Sequence, residues 1–430
     1  MKYIQKIVII LMGVLVLGVL ASCNKGEVAQ ESKEEKKEVL IWYWGEEIDQ
    51  YAQWYTTEIN PNVEFKIVHV LANEYYQKWI QTYLSGGRLP DIGVLESSYR
   101  ELLLNTKGAW ENLEEAPYGV DKRDLYDYTI AKTSNDNKEL VSIEMGLTPA
   151  CLGYKTDISE KYLGIKEPEE LEQLLPTWER LLEVGQEINQ KSNGEVFLFS
   201  KIEDLITIIK SQQQAIIVDT KGTIDDTVLS NVVTAVKDVY DHQIINPKLF
   251  NDSDAIHASI AGEDTLFYVA PIWAPDYIIK PSDPYGGERW RLMNIPGGNV
   301  SIGGTSVAIS TTSEVKAEAF DFIQQVFLTQ QGAKVMTTAG ALSACQAAYT
   351  LDNKVMLTNP EPYFGHQNIS DKYIQAAQHL PNLPVTKYSQ LEDQAIKKGV
   401  EAYLMQNVSL NEMIEIVKIE LQKEIKELDN

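Results

Sequence analysis

Between residues 39 and 95 the chain switches its hydrophobic period repeatedly, and this alternation limits the fold more than any other feature. Residues 39–44 are an unbroken apolar run closed by Gly45, Glu46 and Glu47. A run without polar alternation suits a strand covered on both faces. Ile48, Tyr51, Ala52, Tyr55 and Ile59 then recur at helical spacing until Pro61 stops them. Val63, Phe65, Ile67 and Val70 read as a second strand. Tyr75, Tyr76, Trp79, Ile80 and Tyr83 read as a second helix. After Gly86, Gly87 and Pro90, residues 92–95 read as a third strand. Strand, helix, strand, helix, strand predicts an α/β layer built on a parallel sheet.

Later signals are sparser. A Tyr-rich helix is expected near residues 125–130 and a strand near 140–147. Thr177, after Pro176 and before Trp178 and Glu179, caps a long amphipathic helix. Leu266, Phe267, Tyr268 and Val269 form a buried strand that runs into Pro271, Trp273 and Pro275, which places a tryptophan on a stiff loop. Pro296, Gly297 and Gly298 make another loop. Gly303 and Gly304 then lead into a strand ending at Ile309; paired glycines admit close approach of a ligand or another chain, or make a hinge turn. One helix is expected over 314–335, and mainly helix after 352, ending in the acidic amphipathic segment 410–428.

At the N-terminus, Lys2 and Lys6 precede the uncharged apolar run 7–20. That run is shorter than the roughly twenty residues of a membrane span and has the layout of an export signal. Leu20, Ala21, Ser22 and Cys23 resemble the lipobox of bacterial lipoproteins. The resemblance implies removal of residues 1–22 and acylation of Cys23, with 23–37 as a flexible tether.

With 38 basic and 62 acidic residues the formal charge is −24, which argues against nucleic acid, whose binding neutralises phosphates with Lys and Arg. Cationic solutes stay open, although most acids fall on helix faces where they serve solubility. A length of 430 residues with 44% hydrophobic content suggests two or three domains. Pairing of Cys151 with Cys345 is open; isolated cysteines of this kind are more often buried small hydrophobes. The five histidines lack metal-ligand spacing, and no phosphate loop, HExxH, paired CxxC or nucleophile elbow occurs. No cofactor, metal or catalytic residue is therefore expected, although an acid pair for glycoside hydrolysis stays open among so many carboxylates.

Together, several loose pieces resemble extracellular solute-binding proteins that serve ABC transporters for carbohydrates. They are Trp42, Trp44 and Gly45; Leu89, Pro90 and Asp91; Gly108 and Leu113; Tyr154, Lys155 and Asp157; Pro176 to Glu179; Gly262 leading to Trp273; Pro296, Gly303 and Gly304; and Ala317, Phe320 and Phe322. The resemblance implies a two-lobe α/β fold of the periplasmic-binding-protein type with a hinge and an interlobe cleft. Lobe one would be 38–147 with 299–347, and lobe two 148–298 with 348–430. Ligands of such sheets collect at the carboxyl ends of strands, and sugars need rings for their C–H faces and polar groups for their hydroxyl rim. Trp44, Tyr99 and Trp273 are the expected rings. Glu46, Glu96, Ser97 and Asp276 are the expected rim, with backbone groups at Gly303 and Gly304. Met145 and Gly146 stand near the cleft where the family commonly shows Pro and Tyr, and Met145 is counted with the site.

The expectation is a monomer, not an enzyme, held by a lipid on the extracytoplasmic side of the cell membrane. It captures a mono- or oligosaccharide by cleft closure for an ABC permease and its ATPase subunits. The alternatives are a receptor for a cationic or other non-sugar solute, and a sugar-binding surface sensor or adhesin.

Overall fold

A computed structural model describes residues 36–250, 252–349, 360–384 and 386–428. The export signal, Cys23 and most of the tether lie outside the described residues. No helix among the described residues is long and apolar enough to cross a membrane. The strands, in chain order, are β1 (Lys37–Tyr43), β2 (Val63–His69), β3 (Ile92–Glu96), β4 (Ile143–Glu144), β5 (Pro149–Lys155), β6 (Phe267–Pro271), β7 (Trp290–Met293), β8 (Val300–Ser301) and β9 (Thr305–Ile309). They form two sheets. One runs β2-β1-β3-β9-β4; the other is centred on β5, which pairs with β6, β7 and β8.

The expected parallel pairing holds where strands are joined through helices, since β1 is parallel to both β2 and β3. It fails for β9, which is antiparallel to β3 and β4, because β9 arrives from the second sheet and not through a strand–helix–strand crossover. The second sheet is antiparallel throughout.

Burial explains the apolar runs. Residues 39–43 of β1 are all buried in a core that includes the helices Glu47–Glu58 and Lys316–Phe327, where Tyr55 meets Phe322 edge-on at 5.4 Å. Every residue of β5 is buried. Ala150, Leu152 and Tyr154 enter a core with the helices Trp178–Lys191, Ile202–Gln212 and Asp226–Asp241. Cys151, on the opposite face, packs in a separate cluster with Ile279, Trp290 and Tyr373. Cys151 and Cys345 are both buried and no disulfide joins them; Cys151 packs as a small hydrophobe, while the Cys345 thiol donates to the Leu328 carbonyl at 3.6 Å.

Several boundaries differ from expectation. The single helix over 314–335 is two helices, Lys316–Phe327 and Gln330–Thr338. The Thr329 hydroxyl accepts from the Gly332 amide at 3.0 Å and caps the second helix, and any side chain at Gly332 would collide with the Gln325 and Val326 carbonyls. Of the strand expected near 140–147 only Ile143–Glu144 joins a sheet, while Leu140 makes an isolated antiparallel bridge to Ser134. The loop after β6 is not irregular but enters a π-helical turn, Pro275–Ile279. β8, expected with lobe one, pairs with β5, so the return crossing between the sheets falls at 302–304.

The glycine in β3 has a packing cause. The Trp110 indole, stacked on Trp79 at 5.2 Å, lies directly over Gly93, where a Cβ would overlap the ring. Gly93→Ala forces a buried indole to move, and chemical denaturation should show a loss of about 1–3 kcal/mol; unchanged stability would mean the indole shifts freely.

Candidate functional site

The carboxyl ends of β1, β3 and β6 turn towards the crossings that join the two sheets. After β1, Trp44 is half-buried, packed on Tyr43 (4.8 Å) and edge-on to Tyr75 (5.5 Å). Glu46 is exposed at the head of the helix Glu47–Glu58. Glu47 folds back over Gly45, where any side chain would collide with it. One of its oxygens accepts from the Tyr43 hydroxyl, while Oε2 is buried with no hydrogen-bond partner among the described residues.

After β3, the Glu96 carboxylate is engaged locally, taking the Ser97 hydroxyl at 2.6 Å and the Ser98 amide at 2.8 Å. Tyr99 stacks on Tyr76 at 4.5 Å. The Ser97 amide donates to the Gly304 carbonyl at 3.0 Å. Arg100 is buried and forms a two-pronged pair with Glu144, Nη1 to Oε2 at 2.9 Å and Nη2 to Oε1 at 3.2 Å. Burial raises the Glu144 pKa while the Arg100 and Lys132 cations pull it back. Met145 is buried behind this pair and accepts from the Thr305 hydroxyl through sulfur at 3.3 Å.

The crossings meet here because of two glycines. Gly304 has φ +108°, and a Cβ there would collide with the Glu144 carboxylate and Thr148. Gly303, at φ +72°, has the Trp273 Nε1 atom 3.4 Å from where its Cβ would sit. Lys132, on the helix Asp127–Thr133, donates to Ser301 Oγ (2.5 Å), the Gly303 carbonyl (3.4 Å) and Thr148 Oγ1 (3.5 Å). It thus ties the outgoing and returning crossings together. From the second half, Lys210 meets Glu392 and Asp393, each at 2.7 Å, and the Ser389 carbonyl at 3.2 Å.

These groups enclose a cavity of about 260 Å³ lined by Ser97, Arg100, Lys132, Lys210, Gly303 and Asp393 among others. Its lining holds no aromatic ring among the described residues. Rings come from beside it: Trp273, 39% exposed, follows β6 next to Gly303. Tyr277, 66% exposed, sits one turn on, its amide donating to the Trp273 carbonyl at 3.2 Å.

Of the residues expected from sequence, the structure gathers Ser97, Trp273, Gly303 and Gly304 around the crossings. Trp44 and Glu46 lie at the end of β1. Asp276 points elsewhere, paired with Lys280 at 2.7 Å, and lines a different cavity with Gly340 and Glu361. Arg100, Lys132, Lys210, Asp393, Glu47 and Tyr277 were not anticipated. A lysine in a Tyr-rich helix carries no local signal, and Lys210 meets a partner 183 positions away. Only Tyr277, one helical turn after Trp273, was open to a reading by spacing.

The profile of the family described as bacterial extracellular solute-binding protein matches residues 50–361. A lactose-binding protein of Rhizobium radiobacter is 25% identical over 375 residues, 82% of this chain and 84% of that protein. Among solved structures, an extracellular solute-binding protein of family 1 superposes with a TM-score of 0.81 at 16% identity, covering 90% of this chain and 100% of that one. An ABC transporter associated binding protein from B. animalis subsp. lactis, in complex with beta-1,6-galactobiose, superposes with a TM-score of 0.65 at 19% identity, covering 91% and 98%. These superpositions establish the two-lobed α/β fold of such proteins.

Lys132 offers a pH test of the site's architecture. Burial first, and Arg100 second, lower its pKa from 10.5 to about 8. Between those values the unfolded chain holds a proton that the folded chain has released, so stability rises with pH through that window, by at most about 1.4 kcal/mol per unit. Lys132→Met removes this contribution. Urea denaturation from about pH 8 to about pH 10 should show the wild type gaining stability relative to the variant, and parallel curves would mean Lys132 is solvated.

Proposed function

The chain belongs to the family of bacterial extracellular solute-binding proteins, and from that premise we propose that it captures a neutral sugar between its two halves. In this reading it is a monomer, not an enzyme, held outside the cytoplasmic membrane by acyl chains on Cys23, and it delivers the sugar to an ABC permease and its ATPase subunits. The relatives support the sugar, since one is named for lactose and another is a galactobiose complex.

One observation carries the reading: an exposed indole, Trp273, stands beside Gly303 at the edge of a cavity of mixed character, where paired charged groups share the wall with Ile216, Ile217, Pro381 and Leu383. Arg100, Lys132 and Lys210 face Glu144, Glu392 and Asp393. Lys132 is satisfied by hydroxyl and carbonyl oxygens, and the three carboxylates already hold Arg100 or Lys210. A cationic solute would find no free carboxylate there, since each already holds Arg100 or Lys210. A neutral polyol fits, exchanging hydrogen bonds with a wall that pays no uncompensated charge, while its C–H face lies on the indole. Ser97, Trp273, Gly303 and Gly304 are the core of the proposed site, with Trp44, Glu46, Tyr99 and Met145 around it and Glu96 and Asp276 at its margin.

The lobes we propose are 38–147 with the strand from 305 onward to about 344, against 148–301 with the C-terminal helices. Contacts made from both lobes at once exist only when the cleft is shut, so the sugar shifts the hinge population towards closure. For a disaccharide of about twenty-three heavy atoms, roughly 0.3 kcal/mol each gives about 7 kcal/mol, or a Kd near 10 µM.

Trp273→Ala should weaken sugar binding by more than about 1 kcal/mol while leaving the melting temperature unchanged, because the ring is exposed. Calorimetry checks the affinity, and an unaltered Kd would remove Trp273 from the site. A thermal-shift panel of sugars, polyamines and peptides tests the solute class; stabilisation by polyamines alone would replace the sugar reading with the cationic one.

A further inference from the structure

The two halves wall the cavity at Gly303 differently. The first half brings Ser97, Arg100 and Lys132. The second brings Lys210, already paired with Glu392 and Asp393, and an aliphatic surface made of Ile216, Ile217, Pro381 and Leu383. At about 260 Å³ the cavity falls below the roughly 300–1,000 Å³ of pockets that hold drug-sized molecules, so it has room for one small unit. Its described lining holds no aromatic ring. The flat C–H face of a sugar is therefore served by Trp273 at the edge, and the aliphatic surface inside is left for a different group.

That surface gives a hydroxyl few partners. Proline has no amide hydrogen, so Pro381 donates nothing. The Ile217 carbonyl is taken by the Asp225 amide at 2.8 Å, and the next amide, that of Val218, is taken by Glu392 Oε1 at 2.9 Å. A hydroxyl pressed there loses its water without replacement, which is costly, whereas a methyl group gains by leaving water. The surface is also held in place. Residues 380–384 read Leu-Pro-Asn-Leu-Pro, and each proline restricts its own backbone and that of the residue before it. Leu380 packs against the cluster that holds Phe364 and Tyr373. The Lys210 ammonium, bonded to Glu392 at 2.7 Å and to the Ser389 carbonyl at 3.2 Å, ties the helix ahead of Ile216 to the helix Ser389–Gln406 that follows Leu383.

We propose that the sugar unit in this cavity carries a methyl group, as a 6-deoxy sugar or an N-acetylated amino sugar does, and that Ile216, Ile217, Pro381 and Leu383 receive it. This rests on the sugar reading above and narrows it from neutral sugars in general to methyl-bearing ones. The ring hydroxyls face Ser97 and Lys132, the C–H face lies on Trp273, and the methyl points into the second half. A sugar without the methyl leaves the aliphatic surface of the second half without a partner, so the methyl is part of what favours the closed form.

The test is calorimetry on the full-length protein with four pairs of sugars: D-galactose and D-fucose, L-galactose and L-fucose, D-glucose and N-acetyl-D-glucosamine, lactose and N-acetyllactosamine. The expected result is that in at least one pair the methyl-bearing member binds about tenfold tighter or more, the lower end of what one such group is worth in an apolar pocket. A preference in the fucose pairs identifies a 6-deoxy sugar, and one in the acetylated pairs an N-acetyl sugar. Leu383→Asn should reduce the preference at least about threefold, while Leu383→Met keeps it. Leu383 is half-buried in a loop, so both variants fold, and a thermal melt checks that. A smaller preference in every pair, or one unchanged in both Leu383→Asn and Ile216→Asn, overturns the methyl site and leaves the sugar reading standing. A folded protein that binds none of the eight sugars overturns the sugar reading and the methyl site with it.

Discussion

The arrangement depends on the absence of two side chains. Gly303 and Gly304 carry the return crossing between the sheets through positive φ; the space where a Gly304 Cβ would be is filled by Glu144 and Thr148, and Trp273 stands in van der Waals range of Gly303. Positive φ is nearly free for glycine and costly for other residues. Because the crossing is so thin, the Arg100–Glu144 pair of the first half, the Lys132 ammonium and an indole of the second half converge on a few atoms of backbone. A buried pair of this sort contributes little net stability, yet removing one partner strands a charge at a cost of about 3–5 kcal/mol. Its value here lies in position, since it ties the end of β4 to the end of β3 and the helix Arg100–Leu104 that follows it.

Charge and aromatic surface are kept apart. Charged groups are paired and set deep, where low dielectric would punish any left over. Rings stand outside, at Trp273 and Tyr277, where they are exposed to solvent. Both layers draw on two sheets whose strands end at the same crevice. A solute touching both halves gains contacts that neither half offers alone, which is the physical requirement for a ligand to change the hinge population. The helix Ile202–Gln212 adds rigidity at the edge of the second half: the Gln212 amide donates to the Pro296 and Gly298 carbonyls at 2.8 and 3.0 Å and pins the loop that leads into β8.

Local sequence was a good guide where one periodicity governed one element. The unbroken run of β1, the helical spacing from Ile48 to Ile59, the Thr177 cap and the C-terminal helix Leu410–Leu428 all fold as their patterns imply. It misled where distant chain overrode local preference. The helix over 314–335 breaks at a Thr–Gly pair whose capping geometry outweighs its apolar content, and β9 pairs antiparallel because its partner is chosen by the return crossing. Glu96 illustrates the same limit, for its position at a strand end was legible, but not that its own neighbours Ser97 and Ser98 would occupy both oxygens.

What the amino-acid order determined by itself was the class of fold, an α/β layer built on a parallel sheet, and the places where strands end in loops: the end of β1, the end of β3, the Trp273 segment and the glycine pair. Hydrophobic period and glycine conformation are short-range properties, so they can be read without coordinates. Only the tertiary structure decided which of these places meet. Lys132 reaching Ser301 and Lys210 reaching Asp393 are contacts between residues far apart in the chain, set by how the sheets are crossed, and no local pattern encodes a distance of that kind.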